Sequence, residues 1–294
     1  MSVVVIGQIG RDLVLRTDGP PSVSESTTVL QRDELLGGKG ANQAVGLAQL
    51  GVPVALIGVV GDDFAGNSVL RQAEEDGIDV GGVVRRGTTA LLIDIVGEPP
   101  KRLLLEHVPE ASLVQVADLD QSSALLDTAD TVSIQLQQPA ATALAAAQRA
   151  QRRGLRVVVD GAPPPGIQDE LLSAVDAIRA DATEAALIAG KEVTTVDQAT
   201  RLANHLLKCG PKLVALAVPD VGDLLTWNGG SELFGFADVD VVDPTGAGDA
   251  FVAGLISALR DGAGPQQAGK RAAAAASSTV QRLGGRPDLT ALAS

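Results

Sequence analysis

The sequence predicts a layered α/β domain built on a largely parallel sheet, and three observations carry that prediction. Short, wholly apolar runs such as Val3-Val4-Val5-Ile6 recur along the chain, the kind of strand that lies inside a sheet covered on both faces. Segments of helical periodicity separate them, the alternation that produces parallel sheets. Glycine-rich turns stand where a strand should give way to a helix. With 294 residues the chain can build one large α/β domain, or one domain with a small appendage.

In chain order, apolar strands are expected at 3–6, 54–59, 131–134, 155–159, 175–178 and 213–218. Helical patterns fall between them at 42–50, 65–75, 140–152, 183–188 and 198–207, and the alanine run 272–276 reads as a helix interior. Two segments break the alternation. Residues 14–36 hold polar and β-branched pieces instead of a helix, and 88–95 with 102–105 read as a hairpin turned by Gly97-Glu98-Pro99-Pro100. Together they make a small sheet outside the main one, whose apolar face covers a pocket or meets another subunit; the plainer alternative is two edge hairpins. Further on, 234–242 is partly strand-like and Asp243-Pro244 breaks it. From there Phe251, Leu255, Ile256 and Leu259 recur at helical spacing, so a helix should start near Gly246 or Ala247.

Lys plus Arg number 23 against 36 Asp plus Glu, a formal net charge of -13, which repels nucleic acid and anionic membranes. The one basic cluster, Arg149 to Arg153, reads as an exposed helix end, and neither nucleic acid nor membrane is expected as a partner. The single Cys209 excludes an internal disulfide framework, and His107 and His205 lack ligand-like spacing. The opening residues lack the basic start and long apolar core of an export signal, and no run is of membrane-spanning type. A cytoplasmic protein is expected.

The chemistry is written most densely in Val242-Asp243-Pro244-Thr245-Gly246-Ala247-Gly248-Asp249-Ala250-Phe251. A helix starting here aims unpaired N–H groups at space lined only by Gly and Ala, a site for a phosphate or for charge developing on one. Asp249 stands in the first turn, where the helix field favours its ionised form. A carboxylate beside an anion-binding turn makes sense as the base that takes a proton from a hydroxyl attacking a bound phosphoryl group. The bland alternative is an Asp capping a helix after a glycine turn.

A second glycine turn, Leu36-Gly37-Gly38-Lys39-Gly40-Ala41-Asn42-Gln43-Ala44, opens another helix. Gly37 and Gly38 permit close backbone approach, while Lys39 and Asn42 offer donors suited to a ligand rich in hydroxyls. It matches neither a phosphate loop nor a dinucleotide fingerprint, and a plain helix start is the competing reading. Asp12, just after the first strand and the Gly7–Gly10 turn, is placed to accept bonds from sugar-like hydroxyls or merely to cap that turn.

These two motifs, in this order and at this separation, resemble the two signatures of the ribokinase-like (PfkB) carbohydrate kinases. The similarity also takes in Gly7-Gln8-Ile9-Gly10-Arg11-Asp12 and Gly61-Asp62-Asp63-Phe64-Ala65-Gly66, and so covers nearly the whole chain. The resemblance implies one three-layer α/β/α domain over 1–294, with a central sheet of about eight or nine strands and a β lid from about 14–36 and 88–105. It implies transfer of the ATP γ-phosphoryl group to a primary hydroxyl of a small sugar, ribose first among them. Asp249 would be the base, with Gly246, Ala247 and Gly248 as the anion hole, and Asp12, Gly38, Lys39, Asn42 and Gln137 would bind the sugar. Asp181, Glu184, Val218 and Gly222 would face the nucleotide, and Glu184 would organise Mg2+ through water. K+ would sit near Asp243, Thr245 and Gly284, and the lid would meet its twin in a homodimer.

The chain departs from the family pattern in four places. Asp181 replaces the usual Asn, although Asp181 and Glu184 also read as a local capping box. Leu216-Ala217-Val218-Pro219-Asp220-Val221-Gly222 replaces a glycine-rich phosphate turn, and Pro219 removes a donor. Gln137 stands where the family has an acid, and Glu106-His107-Val108-Pro109-Glu110 makes an acidic rim that disfavours an anionic acceptor. A kinase for another sugar, keto-sugar acid or nucleoside, or a non-catalytic sugar-binding member, therefore stays open beside ribose.

Overall fold

Alternation along the first strand decides the layering. In the computed structural model, which describes residues 1–19, 26–97 and 101–293, Val4 and Ile6 enter one buried cluster and Val3 and Val5 the other. A strand whose successive side chains are all apolar must lie between two layers.

The chain runs β1 (Ser2–Ile6), β2 (Gly10–Thr17), β3 (Val29–Gly37), α1 (Lys39–Gln49), β4 (Val54–Val60), α2 (Phe64–Glu75) and β5 (Asp79–Arg85). β6 (Ala90–Gly97) and β7 (Lys101–His107) follow, then the short helices α3 (Val116–Gln121) and α4 (Ser123–Asp127). Next come β8 (Ala129–Gln135), α5 (Ala140–Arg152), β9 (Arg156–Asp160), α6 (Gln168–Leu172), β10 (Ala177–Ala180), α7 (Ala182–Ala189) and α8 (Val196–Cys209). β11 (Leu213–Val218), β12 (Gly222–Trp227), β13 (Gly230–Gly235), α9 (Ala247–Arg260) and α10 (Pro265–Thr279) complete the order.

Nine strands form the main sheet in the order β13-β12-β11-β10-β9-β8-β1-β4-β5, parallel except where β12 pairs with β11 and β13. This is the expected layered α/β architecture, a large and mostly parallel sheet between helices. α5, α6 and α8 pack on one face, and the alanines 143, 146, 147 and 150 let α5 approach closely. α1, α9 and α10 pack on the other, where Gly254 lies against the α10 backbone. The chain leaves β1 for β4 on one side and returns to β8 on the other, so a crevice opens at the carboxyl end of β1, where α/β sheets hold ligands.

Four strands, β3-β2-β6-β7, make a separate small sheet from the two segments that broke the alternation. β2 and β6 are parallel, and the flanking pairs are antiparallel. Of the expected Gly97–Pro100 turn, residues 98–100 lie outside the described residues.

Two expectations are corrected. The strand ending this region stops at Gly235, and 236–246 is irregular: the amides of Val242 and Asp243 donate to the Val280 carbonyl at the end of α10 (2.8 and 3.2 Å), not to a strand neighbour. The strand expected at 175–178 begins two residues later, because the Val175 amide is spent closing α6 onto Leu172. Among the described residues no helix is long and apolar enough to cross a membrane.

Candidate active site

Two helices begin at the crevice with no side-chain cap. α1 follows Gly38 (φ 88°) and α9 follows Gly246 (φ 76°), and both starts border the cavity between them, with the Ala41 amide donating to the Gln8 carbonyl (3.1 Å) and the Ala247 amide to the Pro244 carbonyl (3.4 Å). Glycine is required at Gly246: a Cβ there would stand 2.0 Å from the Gly285 carbonyl oxygen. The cavity holds about 560 Å³ and is lined by Asp12, Gly38, Lys39, Asn42, Gln137, Asp181, Glu184 and Thr245 to Asp249, brought together from both ends of the chain. The small sheet closes one side, with Asp94, Arg102, Leu104 and Glu106 turned inward.

Asp249 is buried in the first turn of α9 and held from α1. Asn42 Nδ2 donates to its Oδ2 (3.2 Å) and Gln43 Nε2 to its Oδ1 (3.3 Å). Burial, then the nearby Asp160 carboxylate, push its pKa up to about 7, against the pull of Lys39 and the two amides. The helix field was expected to favour its ionised form; desolvation is the larger effect here, and the result suits a base working near neutrality. Asp12 is likewise raised to about 7, by burial and then by Asp94 and Asp249. Its Oδ1 and the Oδ1 of Asn42 are buried without a protein partner.

Lys39 reaches across to Glu184, with Nζ 2.8 Å from Oε1. Burial alone would lower its pKa, but Asp160, Glu184 and Asp249 together raise it. The other Glu184 oxygen accepts from the Asp181 amide, and Asp181 Oδ1 from the Glu184 amide, so the local capping box forms (both 2.8 Å). Both side chains also line the cavity. Asp243 lies beneath the turn. Its Oδ1 accepts from the Thr245 amide (2.9 Å) and hydroxyl, and its Oδ2 accepts from the Gly284 amide (2.9 Å), tying two loops together.

A second cavity, of about 490 Å³, opens on the far side of the α9 start, walled by Phe234, Phe236, Val239, Val241, Phe251 and Val280. Ala217, Asp220 and Asp223 line it, whereas Val218 and Gly222 do not. Period two is the reason for the first: Val218 turns into the core. Gly222 is pressed against the Phe234 carbonyl, and 218–222 closes a tight hairpin through a Val221 amide bond to Val218 rather than a phosphate loop. The acidic rim is likewise split: Glu106 lines the first cavity, while Glu110 sits exposed in a short helical turn away from it.

Sequence reasoning passed over Gln43, Asp160, Arg179, Asp94 and Arg102. Gln43 also donates to Asp160 (3.1 Å) and accepts from the Ser133 hydroxyl (2.8 Å). Asp160 and Arg179 end neighbouring strands, and their charge within apolar runs was the available signal. Arg102 faced Asp94 only once β6 and β7 had paired. Among the described residues there is no cluster of three or more His, Cys, Asp or Glu able to enclose a metal.

Two glycine-led helix starts and, in the first turn of one of them, a buried carboxylate poised near neutrality suit a small-molecule phosphotransferase, set here in the crevice of an α/β sheet. The chain belongs to the pfkB family of carbohydrate kinases, whose pattern matches residues 1–292. It is 29% identical over 291 residues to the ribokinase of Haemophilus influenzae, covering 98% of this chain and 95% of that one. It is 31% identical over 293 residues to an ATP-dependent ribose-1-phosphate kinase of Halopiger xanaduensis, covering 98% and 95%. The structure of Arabidopsis thaliana ribokinase complexed with ribose and ATP aligns with a TM-score of 0.79 at 25% identity, covering 99% of this chain and 97% of the other.

Proposed function

We propose that this carbohydrate kinase transfers the γ-phosphoryl group of ATP to a primary hydroxyl of a neutral sugar, ribose first. The observation that supports it best is the pair of buried, unpartnered oxygens on Asp12 and Asn42 in the cavity that Asp249 lines. Sugar hydroxyls satisfy both, and leaving them unmet would be costly. Cavity carboxylates outnumber cations, which favours a neutral acceptor over a phosphorylated one. No aromatic side chain among the described residues lines this cavity, which disfavours a nucleoside base.

In the reaction the acceptor hydroxyl passes its proton to Asp249 as its oxygen bonds to the γ-phosphorus. The bond from that phosphorus to the β–γ bridging oxygen breaks, and ADP leaves with the electron pair. The amides at Gly246, Ala247 and Gly248 receive the charge on the transferring group. The apolar second cavity takes the nucleotide. Glu184, with Asp181, would hold Mg2+ through water, and the ion would screen the triphosphate charge. Asp243 is buried with no cationic side chain bonded to it among the described residues, which supports K+ between its loop, Thr245 and Gly284. The small sheet is the lid, and its exposed Leu103 and Leu105 support a homodimer through its outer face. The free Cys209 suits a reducing, cytoplasmic setting.

A steady-state screen of ribose, ribose-1-phosphate, fructose, a keto-sugar acid and adenosine, with ATP, Mg2+ and K+, tests this reading. Ribose or a close neutral analogue should give the highest kcat/KM. A phosphorylated sugar or nucleoside in first place would overturn the acceptor, and sugar binding without any turnover would make the chain a binding protein.

A further inference from the structure

Four residues line both cavities: Arg179, Pro244, Ala247 and Gly248. They form the boundary that a phosphoryl group must cross on its way from nucleotide to sugar. Arg179 is the only one of the four with a charge or a side-chain donor. It comes from the carboxyl end of β10 and is only 8% exposed. Its guanidinium lies flat against the α9 turn: a Cβ on Gly248 would stand 2.4 Å from Nη1, 2.6 Å from Nη2 and 2.7 Å from Cζ. Nη1 donates to Asp160 (3.2 Å), whereas Nε is buried with no protein acceptor. A guanidinium that leaves a buried donor unsatisfied at such a boundary is set for an oxyanion that the protein itself does not supply.

Resting on the kinase reading above, we propose that Arg179 is a catalytic residue that binds the transferring γ-phosphoryl group beside the Gly246–Gly248 amides. As the acceptor oxygen bonds to the γ-phosphorus and ADP departs with the bridging oxygen and its electron pair, the equatorial oxygens stay between guanidinium and turn. The arginine loses no proton; burial opposes its charge, but Asp160 and then Asp223, Glu184 and Asp181 hold it protonated. Its position explains how this site takes a triphosphate despite Asp181 and despite a hairpin where a phosphate loop was expected. Gly248 has to be glycine for the same reason, since any side chain there would displace the guanidinium. The simpler role, a cross-strand partner for Asp160, accounts for Nη1 but leaves Nε and the contact with Gly248 unexplained.

The test uses the full-length protein with Arg179→Gln and Arg179→Ala. Turnover should fall about 10²- to 10³-fold while sugar KM changes little. Added guanidinium should restore part of the Arg179→Ala rate. Calorimetry without sugar should show Arg179→Gln losing about 10- to 100-fold in ATP affinity with ADP affinity unchanged. Should Arg179→Gln unfold because Asp160 is left uncompensated, the double variant Asp160→Asn/Arg179→Gln removes that charge and gives the same binding comparison. A folded Arg179→Gln within about threefold of wild-type turnover would assign Arg179 to structure alone. So would ATP and ADP affinities that fall together. If wild type turns over no sugar, the kinase reading fails, and the ATP-against-ADP comparison still decides whether Arg179 meets the γ-phosphate.

Discussion

The two cavities that meet at the start of α9 differ in what their walls offer a ligand. The sugar-side cavity is crowded with Asp12, Lys39, Asn42, Asp181, Glu184 and Asp249, several of them buried and two with unpartnered oxygens. The far cavity is mostly phenylalanine, valine and alanine, with Asp220, Asp223 and Arg179 its charged residues. One wall recognises by exact donor and acceptor placement, where a single missing partner is costly; the other by area removed from water, where losses are graded. In the proposed reaction the phosphoryl group crosses their shared edge at Arg179, Pro244, Ala247 and Gly248. Asp249 is buried at that edge, and burial is the largest cause of its pKa rising to about 7.

The largest expected break is at the base. Asp249→Asn should lower turnover about 10²- to 10⁴-fold while both cavities still bind their ligands, measured by kinetics beside calorimetry. Wild-type kcat/KM should rise with pH and level off above about 7, as Asp249 loses its proton. Stability should run the other way. Asp249 and Asp12 have folded values near 7 against 3.8 for the free carboxyl, so the folded protein holds protons that the unfolded chain releases. Their stabilising contribution is full below about pH 4 and lost as pH rises through about 7. Asp249→Asn should therefore gain about 4 kcal/mol relative to wild type between pH 4 and pH 8, with no such gain at pH 4, in thermal or denaturant unfolding.

Next in size is the shared turn. Gly246→Ala forces a Cβ onto the Gly285 carbonyl and should cut turnover about 10²-fold with sugar affinity nearly unchanged. An equal loss of sugar binding would show that the turn supports the whole polar wall. Asp12→Asn and Asn42→Ala sharpen the comparison itself: each should weaken sugar binding by about 1–3 kcal/mol and leave ATP affinity alone. If ATP affinity fell equally, the two cavities would have been assigned the wrong way round. The smallest effect belongs to Gln137, which lines the sugar cavity but is exposed. Gln137→Glu should favour ribose over ketoses by less than about tenfold in kcat/KM, because an exposed charge is screened. Unchanged ratios would remove Gln137 from the sugar site.

The α/β alternation, the two glycine-capped helix starts and the placing of Asp249 and Asp12 each beside a glycine turn were legible because each rests on local pattern: period, turn chemistry and a carboxylate next to a turn. Strand edges were less so, since Val175 looked like strand until its amide was taken by α6. The irregular run before Asp243 was apolar enough to imitate a strand, and only its position past the sheet edge denied it partners. Val218 and Gly222 lie outside the lining of the second cavity, because Val218 faces the core and Gly222 closes the hairpin, and neither follows from the sequence alone.

By itself the sequence determined the class of fold, the acid and the glycines at the helix start, and an acidic chain poor in aromatics. Tertiary structure decided what those residues are chemically. It brought Asp160 beside Asp249, Gln43 between them and Arg179 onto Gly248, from two helices at opposite ends of the chain and two strands in its middle. A pKa, an unpartnered nitrogen or a boundary between two cavities is a property of distance and dielectric, and neither exists until the sheet has assembled.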